Sequence, residues 1–594
     1  MSSDSGGELT TEQLDVINYP GNVFVVACPG SGKTRTLTYK IAQELEKLES
    51  HRKFVVAITY TNKAAEEIEN RIRDLGVDTD QLWIGTIHAF CLEWILRPYR
   101  IYHPHLARGF SIVNSHDSEA IISRLCRSAQ LTYYDCGYYF VGGSYELSCL
   151  DTRKHPAIHS VLSQYFDELN AGGKIDFEMI LQYARDLIVG QSSIRKVLSN
   201  LFSFIAVDEY QDTKRIQYEI LMSVVREGDG NVGTLVVGDP NQEIFTSLGG
   251  YAIAVSELSA LIGQQIELKN LTRNFRSSKR VIEFFENFNI GGTLIEAAGL
   301  CREYPSLVTF NDEVSVEELP NELARLIEYN VSERGIEPRN ICVLAPWWIL
   351  LASMTRTLVA RLPQYQFDGP GLVPFSRDQD NFWYKVARVA LTEASPGLYI
   401  RRLRWARDIV DELVNYGVNP RKITARDLLR SSNAIDIDEE DGLVHLAMYF
   451  DRLMELLGID YRALIELADQ WDAFFESSQV RIDRLARDGA PFAADIEFFR
   501  RVFRERTGIT VSTVHGVKGL EYDTVIAYGL LQDILPHFAD PAPWESANKL
   551  LYVLASRARK NLHLIAERNR PHGRGRVYHA TSPLQDLLFD YDVI

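Results

Sequence analysis

Apolar residues along this chain fall into two kinds of segment. Dense, short runs stop abruptly at glycine, proline or acid: "VFVVA" at 23–27, "FSFIAVD" at 202–208, "GTLVVGD" at 233–239 and "ICVLA" at 341–345. Such runs, rich in β-branched residues and bounded by turn signals, predict buried strands. Other stretches space their apolar residues three or four apart: "RTLTYKIAQEL" after the first run, "DSEAIISRLCRSAQ", "IDFEMILQYARDLI" and the "WILLASMTRTLVARL" after the fourth run. That period predicts amphipathic helices. Strand followed by helix, repeated, predicts an α/β fold built on parallel sheets.

The turn after the first run carries candidate chemistry. It reads Ala27, Cys28, Pro29, Gly30, Ser31, Gly32, Lys33, Thr34, Arg35. Glycines there let the backbone turn tightly, so that successive N–H groups face a phosphate. Lys33 then reaches the outer phosphates and the Thr34 hydroxyl binds Mg2+. The second run ends in two acids, where a carboxylate lies beside the phosphate loop of a parallel sheet. Asp208 is expected to hold Mg2+ with Thr34. Glu209 is expected to orient or deprotonate an attacking water. The third run leads into "PNQEIF", whose Gln242 can sense a terminal phosphate without adding charge.

Composition narrows the setting. A chain of 594 residues, 46% hydrophobic and 24% charged, is expected to form several ordinary globular domains. No apolar run approaches membrane-spanning length. The "MSSDSGGELTTEQ" start lacks the basic and apolar regions of a secretory signal. Seven cysteines without a CxxC pair suggest a reduced, cytoplasmic protein. Cys126, Cys136 and Cys149 are irregularly spaced and are expected to be unrelated thiols. The net charge of −17 does not exclude nucleic acid, because the charge of the binding face decides. Three basic stretches, 399–407, 499–508 and 567–576, each read singly as solvated faces.

In order along the chain, these motifs resemble those of the UvrD/Rep/PcrA family of superfamily 1 DNA helicases. "LTTEQLDVI" (9–17), "ACPGSGKTR", "AITYTNKAAEEI" (57–68), "GTIHAF" (85–90), "DEYQDT", "GDPNQEIF", "LTRNFRSS", "VSTVHGVKGLEYDTVI" (511–526) and "NKLLYVLASRARKNL" (548–562) carry the likeness. The resemblance implies two RecA-like parallel-sheet motor domains with ATP between them, each interrupted by a mainly helical accessory insertion. It implies that Gln13 reads adenine, that Phe275 stacks on it with Arg35 nearby, and that Glu521 lies at the ribose or links nucleotide to DNA. The first domain would supply Lys33, Thr34, Asp208, Glu209 and Gln242. The second would supply Arg276 and Arg557, arginines that act only when the cleft closes. Single-stranded DNA would cross both domains over Tyr60, Thr86, His88, Phe245, Thr513 and His515. One departure stands out: where the family often has a base-stacking tryptophan this chain has Ser247, a loss of about 1–3 kcal/mol per base.

The resemblance divides the chain into residues 1–90 with 176–269, residues 270–390 with 507–594, and insertions at 91–175 and 391–506. A glycine/proline break at 367–375 precedes the second, shortened insertion. The stretch beyond residue 567 is too short for the nuclease domain fused to some relatives. Two purposes remain open. One is an ATP-dependent, single-stranded-DNA-stimulated 3′–5′ translocase and helicase acting on single strands and single/double-strand junctions in repair or replication. The other is an ATPase subunit that reports DNA to a partner nuclease, as compact relatives do in Gabija-type anti-phage defence. A phosphate-loop kinase or switch leaves the late arginine motifs unexplained.

Overall fold

Side chains removed from water on both faces of a strand demand a sheet covered by helices on both sides. That is the setting of β1 (Val23–Ala27), where Val23, Val25 and Ala27 have no exposed surface. The computed structural model describes residues 8–245, 249–369, 373–375, 378, 381–419, 423–487, 494–504, 507–572 and 576–594. With β1, the strands β2 (Phe54–Thr59), β3 (Leu82–Thr86), β4 (Phe202–Asp208), β5 (Gly233–Gly238) and β6 (Glu267–Leu271) form one sheet. Its order is β6-β1-β5-β4-β2-β3. A second sheet contains β7 (Val308–Asn311), β8 (Ile341–Ala345), β9 (Phe367–Asp368), β10 (Ile509–Thr513), β11 (Tyr522–Ala527) and β12 (Ala558–Ile565). Its order is β7-β12-β11-β8-β10-β9. All pairings in both sheets are parallel. The α/β, two-lobed RecA-like architecture is therefore present.

Register sets the working edge. Val26 pairs with Gly238, and Val237 with Asp208. The carboxyl ends of β1, β5 and β4 thus lie level, at the edge where open α/β sheets bind ligands. Helix α1 (Lys33–Glu46) starts there behind Gly32, which has φ +81° and offers no side-chain cap. Its first N–H groups are left facing the loop, as an anion site requires. Helix α2 (Asn62–Asp74) leaves β2 and is capped by Thr61.

Between β3 and β4 the chain builds helices, including His155–Ala171, and a hairpin of Tyr138–Val141 with Ser144–Leu147. Between β9 and β10 lies a helical bundle with its own core. At its centre Trp383 has no exposure and is ringed by Phe450, Tyr461 and Trp471 at 4.8–5.0 Å. The stretch 399–407 lies on helix α4 of this bundle once α3 (Trp348–Arg361) is counted in the second lobe; α4 spans Tyr399–Asn415. Only part of it is solvated: Tyr399, Ile400, Arg401 and Arg407 are exposed, but its middle is not. Arg404 donates to Asn70 Oδ1 at 2.9 Å, and Trp405 Nε1 donates to Glu66 at 3.3 Å. Arg388 sits 4.4 Å from the Trp405 ring and 3.6 Å from Glu66. The bundle is therefore clamped to α2 of the first lobe, which no local pattern reveals.

One further expectation changes. Cys126 and Cys136 are not unrelated: their Sγ atoms lie 3.4 Å apart, both buried. The helix Ser115–Cys126 ends just where the turn Tyr133–Cys136 folds back on it. Among the described residues no helix is long and apolar enough to cross a membrane.

Candidate nucleotide and nucleic-acid site

The loop from Ala27 to Arg35 is held from three sides. Ser31 Oγ donates to the Cys28 carbonyl at 2.7 Å, and burial pushes the Cys28 thiol far up. Gln13 is buried at 2% exposure: its Oε1 accepts from Thr10 N at 3.0 Å and its Nε2 donates to the Ser31 carbonyl at 3.0 Å. Its amide thus braces the loop, with one donor and one acceptor position left for a base. The third support comes from the linker beyond β6. Asn274 Nδ2 donates to the Pro29 carbonyl at 2.7 Å and Phe275 N to the Gly30 carbonyl at 2.9 Å. Gly30 has φ +68°, and a Cβ on it would meet the Arg276 Cβ at 2.6 Å, so only glycine permits this approach.

Four charges converge above the loop. Lys33 Nζ lies 3.3 Å from Glu209 Oε2. Burial alone would lower the Lys33 ammonium, but Glu209, Asp239 and Asp208 outweigh it and raise it. Burial and the neighbouring Glu209 carboxylate push Asp208 up to about 7. Glu209 goes the other way, to about 2, because Lys33 and Lys518 outweigh its burial. Two adjacent carboxyls with opposite tendencies suit one that waits for a cation and one that stays charged. Asp239 adds to the residues the motifs assign. It is fully buried and raised chiefly by burial, and it accepts from Gln242 Nε2 at 2.7 Å and Asn241 N at 3.1 Å. Its signal in the sequence is an acid directly after the third apolar run, as Asp208 closes the second.

From the second lobe, Arg557 is 1% exposed and its Nη2 donates to Gln242 Oε1 at 2.9 Å. Burial and the Arg276 cation lower it. Arg276, assigned by resemblance to the second domain, is held by both lobes. Its backbone N donates to Asn274 Oδ1 at 2.8 Å, on the phosphate-loop side. Its guanidinium donates to the Ser556 carbonyl at 3.0 Å and to Glu521 at 2.7 Å. The reason is topological: β6 keeps the chain in the first sheet to Leu271, and the contacts that follow the Arg276 guanidinium, beginning with Ser277 Oγ to the Ala558 carbonyl at 2.6 Å, lie in the second lobe. Glu521 is shared between Arg276 and Arg559, which hold it at about 2 against its burial. The Phe275 ring is 39% exposed and has the Arg273 guanidinium at 5.5 Å; Arg35 lies 5.9 Å from the Tyr39 ring.

The residues expected to touch DNA divide into three groups. Tyr60, Phe245 and His515 form one aromatic row, with rings 5.3 Å and 5.4 Å apart across the seam between the lobes. Lys518 Nζ lies 5.2 Å from the Phe245 ring and pairs with Asp212 at 2.6 Å. Tyr60, Thr86, His88 and Phe245 also line a cleft of about 1280 Å³, closed on its far side by Lys385, Arg388 and Asp408 of the helical bundle. His88, however, packs on Phe177 at 5.6 Å, and burial lowers it to about 4, so it is neutral near pH 7. Thr86 and Thr513 act locally: Thr86 Oγ1 accepts from Ala89 N and Thr513 Oγ1 from Gly516 N. Ser247 lies outside the described residues.

The donor set can be tested against a metal. Mg2+ is usually held by one or two carboxylates together with substrate phosphates. A buried carboxyl raised to about 7 at Asp208, level with the phosphate loop, fits that chemistry.

Residues 9–139 and 143–255 match the family described as UvrD/REP helicase N-terminal domain, and residues 499–569 match the UvrD-like helicase C-terminal domain. The chain is similar to the ATP-dependent DNA helicase PcrA of Staphylococcus epidermidis, 22% identical over 94% of this chain and 83% of the relative. PcrA of Staphylococcus aureus is 22% identical over 95% and 83%, and that of Bacillus subtilis 23% identical over 94% and 82%.

Proposed function

The chain belongs to the UvrD/PcrA-like superfamily 1 DNA helicases, and on that premise we propose that it is an ATP-driven, single-stranded-DNA-stimulated translocase that moves 3′ to 5′ and opens single/double-strand junctions. The observation that carries this reading is the seam itself: the Lys33–Glu209 pair lies in one lobe, and Arg557 of the other is bonded to that lobe at Gln242.

In this reading the loop N–H groups and Lys33 bind the triphosphate of ATP. Asp208 and Thr34 would hold Mg2+, which would supply charge neutralisation to the bound phosphates. Glu209, kept ionised, positions the water and accepts its proton. Arg557 and Arg276 face the charge that develops on the transferred phosphoryl group. Gln242 bonds both Asp239 and Arg557, so it reports phosphate state from one lobe to the other. Phe275 and Arg35 flank the base, with Gln13 bracing the loop beneath it. Turnover then alters the angle between the lobes, and the row Tyr60–Phe245–His515 spans that angle. Thr86, His88 and Thr513 shape the DNA-facing turns around it.

We assign 1–90 with 176–269 and 270–390 with 507–594 to the two motor domains, and 91–175 and 391–506 to the accessory insertions. The seven cysteines, all free, suit a cytoplasmic setting. The test is ATPase activity with and without single-stranded DNA, then strand displacement on 3′- and 5′-tailed duplexes. Stimulation by single strands and preference for the 3′ tail are expected. No stimulation would overturn the motor reading, and preference for a 5′ tail would overturn its polarity.

A further inference from the structure

We infer that Glu243 and Lys549 are a positioning pair for Arg557, an ion pair across the seam that fixes how the arginine is presented to the nucleotide. The inference rests on the role proposed above for Arg557 and adds two residues that act through it.

Helix α5 (Pro543–Ala555) carries the chain to Arg557. Lys549 and Val553 stand one turn apart on it, so their positions share a face. The Val553 carbonyl accepts from Arg557 Nε at 3.1 Å, and Arg557 Nη2 goes on to Gln242 Oε1 at 2.9 Å. One turn before Val553, Lys549 Nζ reaches Glu243 Oε2 at 2.5 Å. Gln242 and Glu243 are neighbours in the first lobe. The bonds therefore close a circuit: Gln242 to Arg557, Arg557 to Val553, one helical turn back to Lys549, Lys549 to Glu243, and the peptide from Glu243 to Gln242. A single bond to Gln242 would let α5 roll about it. A second bond, one turn away, removes that freedom and holds the guanidinium in one orientation.

Both ends of the pair are themselves fixed. The other carboxylate oxygen of Glu243 accepts from Ala252 N at 3.0 Å. Asn241, just before Gln242, donates to Asn289 Oδ1 at 2.9 Å and accepts from Gly291 N at 2.7 Å, so the first-lobe turn is held on both sides of Gln242. Lys549 Nζ also pairs with Glu545, one turn back on α5, at 2.6 Å. The Lys549 and Glu243 side chains are only 10% and 12% exposed. Burial alone would lower the Lys549 ammonium, but Glu243 and Glu545 outweigh it. Buried pairs add little stability over apolar side chains of similar volume. What this one supplies is geometry, at the two positions that set the angle of α5 against the first lobe.

The test is ATP hydrolysis by the full chain at saturating single-stranded DNA, in the parent and in an Arg557→Ala background, with single-turnover measurement for the slow variants. Glu243→Gln keeps the volume and the acceptor for Ala252 N but removes the charge; Lys549→Met keeps the length. Each should lower kcat about 10- to 100-fold with the KM for ATP nearly unchanged, and the double variant should fall no further than either single one. Lys549→Arg should retain most of the parent's turnover. In the Arg557→Ala background neither substitution should cost anything more. Equal losses in both backgrounds would overturn the inference, because the pair would then act without Arg557. If Arg557→Ala turns over like the parent, the role proposed for Arg557 and this inference fall together. If Arg557→Ala is slow while Glu243→Gln and Lys549→Met match the parent, only this inference falls. Melting temperatures monitor the fold; if Lys549→Met does not fold, Glu243→Gln decides alone.

Discussion

Arg557 of the second lobe donates a hydrogen bond to the side-chain oxygen of Gln242 in the first, 2.9 Å across a seam that excludes water from both. Gln242 in turn donates to Asp239. The chain Asp239–Gln242–Arg557 joins the two sheets through polar groups alone, where unpaired partners are expensive. Arg557→Ala is expected to leave nucleotide affinity nearly unchanged and to reduce turnover by about 10³ or more. Gln242→Ala combined with it should add little, because both act through one contact. Additive losses in steady-state kinetics would show that the two residues work independently.

In the proposed reading, Glu209 competes with a bound phosphate for Lys33. In Glu209→Gln the ammonium loses its 3.3 Å carboxylate partner. Turnover should fall by about 10²–10⁴, the usual contribution of a general base, while ATP binding stays as tight or tightens. Weaker binding in equilibrium titration would contradict this competition.

His563 gives a pH dependence with a definite sign. It is fully buried between Thr309 and Asn330, and burial lowers it from 6.5 to about 3. Because the unfolded chain binds the proton first, its contribution to stability is complete above pH 6.5 and is lost as pH falls toward the folded value. Between pH 7 and pH 5 that loss is about 2 kcal/mol. His563→Asn should be destabilised at pH 7, and its deficit relative to the parent should shrink by about that amount at pH 5. Urea denaturation at the two pH values measures it; a constant deficit would mean His563 does not titrate on unfolding.

The clamp between bundle and α2 rests on Glu66 and Glu69 facing Arg388 and Arg404. Glu66→Lys sets a cation against Arg388 and removes the acceptor of Trp405 Nε1. The bundle should swing away from the first lobe, raising the radius of gyration in small-angle scattering and opening the 1280 Å³ cleft. An unchanged scattering profile would show that the clamp is held by other contacts.

Strands β1, β4, β5 and β8 were legible because each is buried on both faces and so appears as an uninterrupted apolar run. Edge strand β6, "ELKNL", was not: four of its five residues are at least partly exposed, and water-facing positions carry no hydrophobic signal. That Lys33, Asp208 and Glu209 come together could be read in advance because each follows from one strand end or one turn. Asn274 could not, because its part is to join Pro29 to Arg276, a relation between distant segments. Arg276 sits at the crossing itself, its backbone bonded to Asn274 and its guanidinium to Ser556 and Glu521 of the second lobe. Sequence order does not say where a linker stops belonging to one sheet. Trp405 looked like part of a charged face because its acceptor, Glu66, lies on the other side of a 339-residue separation.

The crossing from β6 to the second lobe passes directly over the phosphate loop, with Phe275 bonded to Gly30 and Ser277 bonded to Ala558. Phosphate loop and crossing are thus joined by a few consecutive peptides. Were the lobes to turn about this crossing, as the proposed motor requires, a small shift there would be geared up with distance from it.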